Sequence, residues 1–346
     1  MTENQQDAIG PLSQRVRAPH VAAMPVNPGL EWRPASVDDI DAVTELMQDA
    51  NRVDHPHYLQ TREETEEDLT ASYVDLERDT IVAVDAAGRI RAYGTAQLGP
   101  SQDIMLRTIL FGAVHPELRG RGIGRQLAAW LEQRAQQQLA ASEARLPGWI
   151  MTYHEDTEVS AIGLFERRGF APVRYYFQLQ RPLDEPIVDV PIPEGVILRT
   201  PTATDAEAVR LAKNDSFQDH WGSLPMNDEQ WGRLWNSPAF RPDLSVIAVT
   251  DSGEVAGLVL TEVVEADWPG QGFSSGYIEL VGVPRAHRGK RIAPAMLTEA
   301  LRLISAAGLE RAVLDVDSES LTGAVELYER VGFRQASRSR AMSKVY

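Results

Sequence analysis

Cysteine is absent from all 346 residues. That excludes disulfides, thiolate metal sites and a cysteinyl acyl-enzyme, so any acyl chemistry must use other groups. An excess of positive charge is absent too: 34 Lys and Arg stand against 50 Asp and Glu, a net charge of -16. Neutralising a nucleic-acid backbone needs a broad basic surface, so no nucleic-acid partner is expected. No apolar run reaches the length of a membrane span, and the opening MTENQQDAIG has neither the basic start nor the apolar core of a secretory signal. The expectation is a cytoplasmic protein with no membrane partner. What is present suits ordinary folding, since 43% hydrophobic and 24% charged residues are the shares of a globular chain rather than a disordered one. The length suggests two domains.

Basic residues concentrate at two turns, and the clearer is VHPELRGRGIGRQLAAWLEQRA, Val114 to Ala135. Arg119, Gly120, Arg121, Gly122 and Gly124 crowd a turn, after which Leu127, Trp130, Leu131 and Ala135 recur near helical spacing. The first four N–H groups of a helix lack intrahelical partners and the macrodipole is positive there, so an anion fits. Arginines at that end oppose the dipole by roughly 0.3 to 1 kcal/mol each, which makes sense if a polyanion neutralises them. From these residues alone, a solvated Gly/Arg turn without a ligand remains the other reading.

Taken in order, residues 1–28 show no sustained period and predict a mobile or loosely draped tail. LEWRPA predicts a strand, Ser36 with Asp38 and Asp39 a helix start, and the acidic run from Thr61 to Asp68 a second helix with a solvated face. A hairpin turning at Ala87 and Gly88, the strand MLRTILFGAV, the opening turn and helix, the strand WIMTYH, a helix closed by Gly169 and a strand VRYYFQLQRPL follow. Then the Pro-rich segment LDEPIVDVPIPEG predicts a linker at residues 184–194. Beyond it the order repeats, with a capping box expected from Thr204 and Glu207. Arg33 recurs as Arg199 (166 positions on), Arg119 as Arg288 (169) and Gly169 as Gly332 (163). Residues 29–183 and 195–346 are therefore two copies of one α/β unit.

This order of elements resembles the GNAT superfamily of N-acetyltransferases, twice over. Its pyrophosphate signature, Q/RxxGxG/A, is met by Arg119, Gly122 and Gly124; the second copy offers Arg288 and Ala293 but has Arg291 where glycine is usual. Tyr328, Gly332 and Phe333 fit the family's terminal pattern. The resemblance implies two tandem domains, each a mixed, splayed β-sheet flanked by helices, with acetyl-CoA as co-substrate and no metal. It implies a cofactor turn at Val114, Arg119, Gly120, Arg121, Gly122 and Gly124, and a second at Val281, Val283, Arg288, Gly289, Lys290, Ile292 and Ala293. It also implies direct transfer, in which a neutral amine attacks the thioester, a backbone N–H holds the oxyanion, and side chains supply a base and an acid.

The halves differ where those side chains fall. With Val114 set against Val283, Glu279 faces Leu110, and with Gly169 set against Gly332, Tyr328 faces Phe165. Leucine and phenylalanine take no proton, so catalysis is expected in the C-terminal domain, through Glu279 and Tyr328, while the N-terminal domain is structural or binds acyl-CoA without turning it over. A buried Glu279 would have its pKa raised towards a useful base. The loop SFQDHWGSLPMNDEQWGRLW borders the expected acceptor site, with Phe217, His220 and Trp221 as contacts. In the first half Asp54, His55 and His57 lie close in sequence, but no third soft ligand is near and no metal is expected. The expected acceptor is a primary amine of a small molecule, bound by a monomer or homodimer. The alternatives are a protein lysine or N-terminal acetyltransferase, and a non-catalytic tandem acyl-CoA sensor or scaffold.

Overall fold

In the computed structural model, which describes residues 9–320 and 323–346, strands and helices recur in the same order twice. The first series is β1 (Leu30–Arg33), α1 (Ile40–Asp54), α2 (Arg62–Thr70), β2 (Thr80–Asp85), β3 (Ile90–Leu98), β4 (Leu106–Val114), α3 (Ile123–Ala140), β5 (Gly148–Glu155), α4 (Val159–Glu166) and β6 (Ala171–Pro182). The second is β7 (Val196–Arg199), α5 (Ala206–Ser216), α6 (Asp228–Asn236), β8 (Val246–Thr250), β9 (Val255–Glu262), β10 (Ser275–Gly282), α7 (Ile292–Ala306), β11 (Arg311–Asp317), α8 (Ala324–Arg330) and β12 (Arg334–Val345).

The helix starts repeat in chemical detail. Ser36 and Asp39 form a capping box before α1, and both Asp39 oxygens accept from Arg33 at 2.7 Å. Before α5 the same device is built by Thr202 and Asp205, with Arg199 bidentate at 2.7 Å. This corrects the box expected at Thr204 and Glu207. The chain enters α5 through a short tight turn over Ala203–Asp205, so the cap sits two residues earlier, and Glu207 instead accepts from Arg210 at 2.8 Å.

The chain divides into two compact units, one built from residues up to Val173 together with Arg340–Tyr346, the other from Arg174–Ser339. In the first, β1 to β4 are sequential antiparallel neighbours and β5 runs parallel to β4. In the second, β7 to β10 repeat that order, β11 runs parallel to β10, and β6 lies antiparallel along β11. The boundary expected at residue 183 therefore moves. Residues 176–182 of β6 pair with Arg311–Asp317, and Tyr346 exchanges backbone hydrogen bonds with Gly148 on β5, so each unit takes a strand from beyond its own half of the repeat.

The strands of each unit are covered on two faces. In the first unit α3 buries Leu127, Trp130, Leu131 and Ala135 against one face, and α1 buries Val43 and Leu46 against the other. In the second, α7 and α5 repeat this with Met296, Leu297 and Leu301, and with Val209 and Ala212. The expected mobile tail also needs correction. Residues 1–8 lie outside the described residues, but Leu12 and Val16 are buried in the α3 core, and Leu12 N–H donates to the Ala144 carbonyl. The apolar side chains are too few to show a period yet enough to dock the segment.

Candidate active site

Each unit opens a cleft between its two parallel strands. Pairing of β4 with β5 runs from Leu106↔Gly148 to Ile109↔Met151 and stops there. Pairing of β10 with β11 runs from Ser275↔Arg311 to Tyr277↔Val313 and stops likewise. Beyond those points lie Leu110–Val114 in the first unit and Ile278–Gly282 in the second, each strand feeding a turn and a long helix.

The two turns share a backbone. Gly120 and Gly289 have φ of 76° and 77°, and the next positive φ falls at Gly122 (84°) and at Arg291 (60°), the single non-glycine residue with positive φ among the described residues. Gly122 and Arg291 are the N-caps of α3 and α7. A Cβ built on Gly120 or Gly289 meets nothing within 4 Å, so the backbone there is open to a ligand. Such a turn at a long helix start suits the pyrophosphate of acetyl-CoA, because unpartnered N–H groups and the dipole favour anionic oxygens. Val114, Val281 and Val283 are partly buried beside the turns, Ile292 is buried, and Arg121, Gly289 and Lys290 are exposed.

The first arginine of each motif is turned to another task. Arg119 donates to the Val114 carbonyl and grips Asp54 at the end of α1 through two bonds of 2.6 Å. Arg288 donates to the Val283 carbonyl, to Ser216 O at 2.8 Å and to Asp219 at 2.7 Å, and Arg285 also binds Asp219. These two guanidinium groups hold the Asp219 carboxyl down at about 2. Both motif arginines thus tie the turn to the region at the end of α1 or α5.

The strand before the second turn carries a feature the first lacks. β4 pairs with β3 in unbroken register from Leu98↔Thr108 to Ala92↔Val114. On β10 the register with β9 jumps from Ile278↔Thr261 to Leu280↔Leu260, which leaves Glu279 as an extra residue in a bulge. A bulge re-aims the side chain and drops the residue from the ladder. Glu279 is consequently exposed rather than buried, which corrects the expected desolvated carboxylate. Leu110, set against it by sequence alignment alone, lies in an unbroken ladder and is 3% exposed in the core.

Tyr328 lies on α8, buried, with its ring edge-on to Phe333 at 5.8 Å, and burial pushes its phenol well above the ordinary value. Phe165 repeats this against Phe170 at 5.1 Å without a hydroxyl. In the loop after α5, Phe217 and His220 lie ring to ring at 4.6 Å, and burial lowers the His220 imidazole below its usual value. Trp221 lies under the Arg174 guanidinium, which itself binds Asp317 and Glu319. Trp231 and Trp235 pack on each other in the core.

Three groups escaped sequence reasoning. The Tyr277 hydroxyl donates to Asp315 at 2.7 Å between β10 and β11; burial raises both groups. Lys213 sits on the buried stripe of α5 with Val209, Ala212 and Ser216. In the first unit Glu158 joins His55 and His154. A lysine on an apolar helical phase was the one readable signal; the others depend on neighbours far apart in sequence.

A splayed mixed sheet with a Gly-turn at a helix N-terminus, built twice, defines a tandem acetyltransferase fold. The chain belongs to the GNAT acetyltransferase family. The family model described as "Acetyltransferase (GNAT) family" matches residues 206–333, and that of the "Acetyltransferase (GNAT) domain" matches residues 77–172. The mycothiol acetyltransferase of Salinispora arenicola is 34% identical over 236 residues, covering 65% of this chain and 69% of the relative. That of Frankia alni is 32% identical over 323 residues, covering 89% and 92%. Among solved structures, the GCN5-related N-acetyltransferase from Sphaerobacter thermophilus is 28% identical with a TM-score of 0.69, covering 93% of this chain and 97% of that one. A tandem GNAT protein from the clavulanic acid biosynthesis pathway shares the fold at 16% identity, TM-score 0.62, covering 91% and 98%.

Proposed function

We propose that the second cleft transfers an acetyl group from acetyl-CoA to a primary amine of a small molecule by direct attack. What supports this reading is that the second unit has a carboxylate on a strand bulge and a phenol on α8, where the first unit has the apolar Leu110 and Phe165. Acetyl-CoA supplies the thioester. The α7 turn, from Arg288 to Ala293, would bind its pyrophosphate, and a backbone N–H near the bulge would hold the oxyanion. Glu279 would take the amine proton, directly or through water, and Tyr328 would hold a proton beside the leaving sulfur; a phenol with so high a pKa is protonated at neutral pH.

Phe217, His220 and Trp221 would line the acceptor side, where a largely neutral His220 avoids repelling an ammonium. The mycothiol acetyltransferases among its relatives favour a small molecule over a protein acceptor, and point first to mycothiol lacking its acetyl group. No helix among the described residues is long and apolar enough to cross a membrane, which suits an enzyme meeting its substrates in the cytoplasm. The first cleft, with its glycine turn kept and its proton-handling positions apolar, would bind a second acetyl-CoA without turnover.

The test measures CoA thiol release with deacetylated mycothiol, an amino sugar and a polyamine in turn. Amine-dependent release that drops roughly 10²-fold or more in Glu279→Gln supports the reading. Release independent of any amine, or unchanged in the variant, overturns it.

A further inference from the structure

The second unit buries a cation that this mechanism does not use. Lys213 is 4% exposed, although lysine is almost never fully buried without a partner. Its Nζ lies 5.5 Å from the centre of the Phe217 ring and 3.5 Å from Asn214 Oδ1, neither of which neutralises an ammonium. One helical turn on, Ser216 and Phe217 press on β10 at Gly282, where a built Cβ would lie 3.1 Å from Ser216 Cβ and 3.3 Å from Phe217 Cε2. α5 thus packs on β10, the strand whose bulge carries Glu279. Burial lowers Lys213 to about 8, and the Glu279 carboxylate opposes that fall, so the two charges sense each other.

The internal repeat supplies an independent observation. α1 and α5 begin at Ile40 and Ala206, 166 positions apart, which sets Met47 against Lys213. Leu110 stands against Glu279 by the alignment of Val114 with Val283. The first unit has therefore replaced both members of the pair by apolar residues, and Met47 packs on the core. A lysine serving only to cap α5 would have no reason to be absent together with the carboxylate.

We propose that Lys213 is a positioning residue for acetyl transfer, its ammonium holding the Glu279 side chain in place and ionised at the bulge so that it can accept the amine proton. This rests on the assignment of Glu279 as the base. Other charged and titratable groups share the cleft and shape its pH response. Tyr277 on β10 senses Glu279 and also Glu262 on β9 and Asp315 on β11. His220 senses Lys213 together with Asp317, Arg288 and Asp219.

The experiment compares pH profiles of kcat and kcat/KM for the full chain and for Lys213→Met, Lys213→Arg and Glu279→Gln, with acetyl-CoA and deacetylated mycothiol. Lys213→Met, the first-unit residue, should move the acid limb up by about one pH unit, which lowers kcat about tenfold on the acid side of that limb, while the KM for acetyl-CoA changes less than about twofold. Lys213→Arg should return the acid limb to its wild-type position, because guanidinium keeps the charge. A uniform loss in Lys213→Met with the limb unmoved, or an arginine variant as impaired as the methionine one, overturns the proposal. If methionine prevents folding, Lys213→Gln is read by the same criteria. Failure of the underlying assignment shows separately, as wild-type turnover in Glu279→Gln.

Discussion

Arg291 holds, at φ 60°, the left-handed backbone that Gly122 holds at φ 84° in the first copy of the turn. Loss of the expected glycine thus leaves the shape of the anion cradle intact and moves the cost into backbone strain. An L-residue in this region costs about 1–2 kcal/mol, while glycine gives back about 0.5–1 kcal/mol through its freer unfolded chain. Arg291→Gly should therefore stabilise the protein by about 0.5–1 kcal/mol in denaturant titration. Acetyl-CoA affinity and turnover should stay within a few-fold of wild type. A variant that is destabilised, or that loses acetyl-CoA, would show that the arginine side chain itself is needed at the turn.

Tyr328→Phe copies the first unit, where Phe165 occupies the same place against Phe170. The ring and its edge-on packing survive, so folding should be little changed. Removing an acid from a proton-transfer step should lower kcat by about 10²-fold, with acetyl-CoA affinity within about threefold by calorimetry. Unchanged kcat would remove the hydroxyl from the reaction.

In the proposed function each of the two turns binds an acetyl-CoA, with turnover at the second alone. Isothermal titration should give close to two sites per chain for the wild type. Valine at position 122 would be forced into a left-handed conformation that β-branched residues avoid, so Gly122→Val should remove one binding event. Turnover should be retained in that variant. If turnover is lost with the first-unit event, the assignment of chemistry to the second cleft is reversed.

The repeat, the first helix start and the two Gly-turns before long helices were legible in the sequence because each rests on local rules, while the second helix start lies two residues before the place expected for it. Ser36 or Thr202 reaches its own N3 residue, Gly120 and Gly289 mark positive φ, and Leu127 and Leu131 follow the helical period. What was not legible depends on pairing across the chain. Residue spacing gave no sign that β6 would lie along β11, that Tyr346 would return to Gly148, or that β10 would bulge at Glu279. The bulge reversed the expected burial of that carboxylate. The motif arginines, read as ligand contacts, bind Asp54 and Asp219, residues separated from them by 65 and 69 positions.

In the first unit the space near Phe165 is occupied by an ion cluster. Glu158, at the N-cap of α4, binds His154 at 3.1 Å and His55 at 3.2 Å, and the His154 ring lies 5.2 Å from that of Phe165. Burial would raise the Glu158 carboxyl, but hydrogen bonds from His154 and His55 outweigh it and draw it down to about 2. For His55, burial pulls down, and the bond and charge of Glu158 raise it above its ordinary value. The signs of the two contributions differ. A depressed carboxyl stabilises the fold above its unfolded pKa, near 4.5, and loses that contribution as pH falls towards 2. A raised imidazole stabilises below about 6.5 and loses its contribution as pH climbs through the raised value. Glu158→Gln should therefore destabilise the chain most between about pH 5 and 6.5, by on the order of 2 kcal/mol, and flatten the acid side of its stability profile. Denaturant midpoints measured from pH 3 to 8 decide it: wild-type and variant curves running parallel across that range would mean the cluster contributes no linked protons.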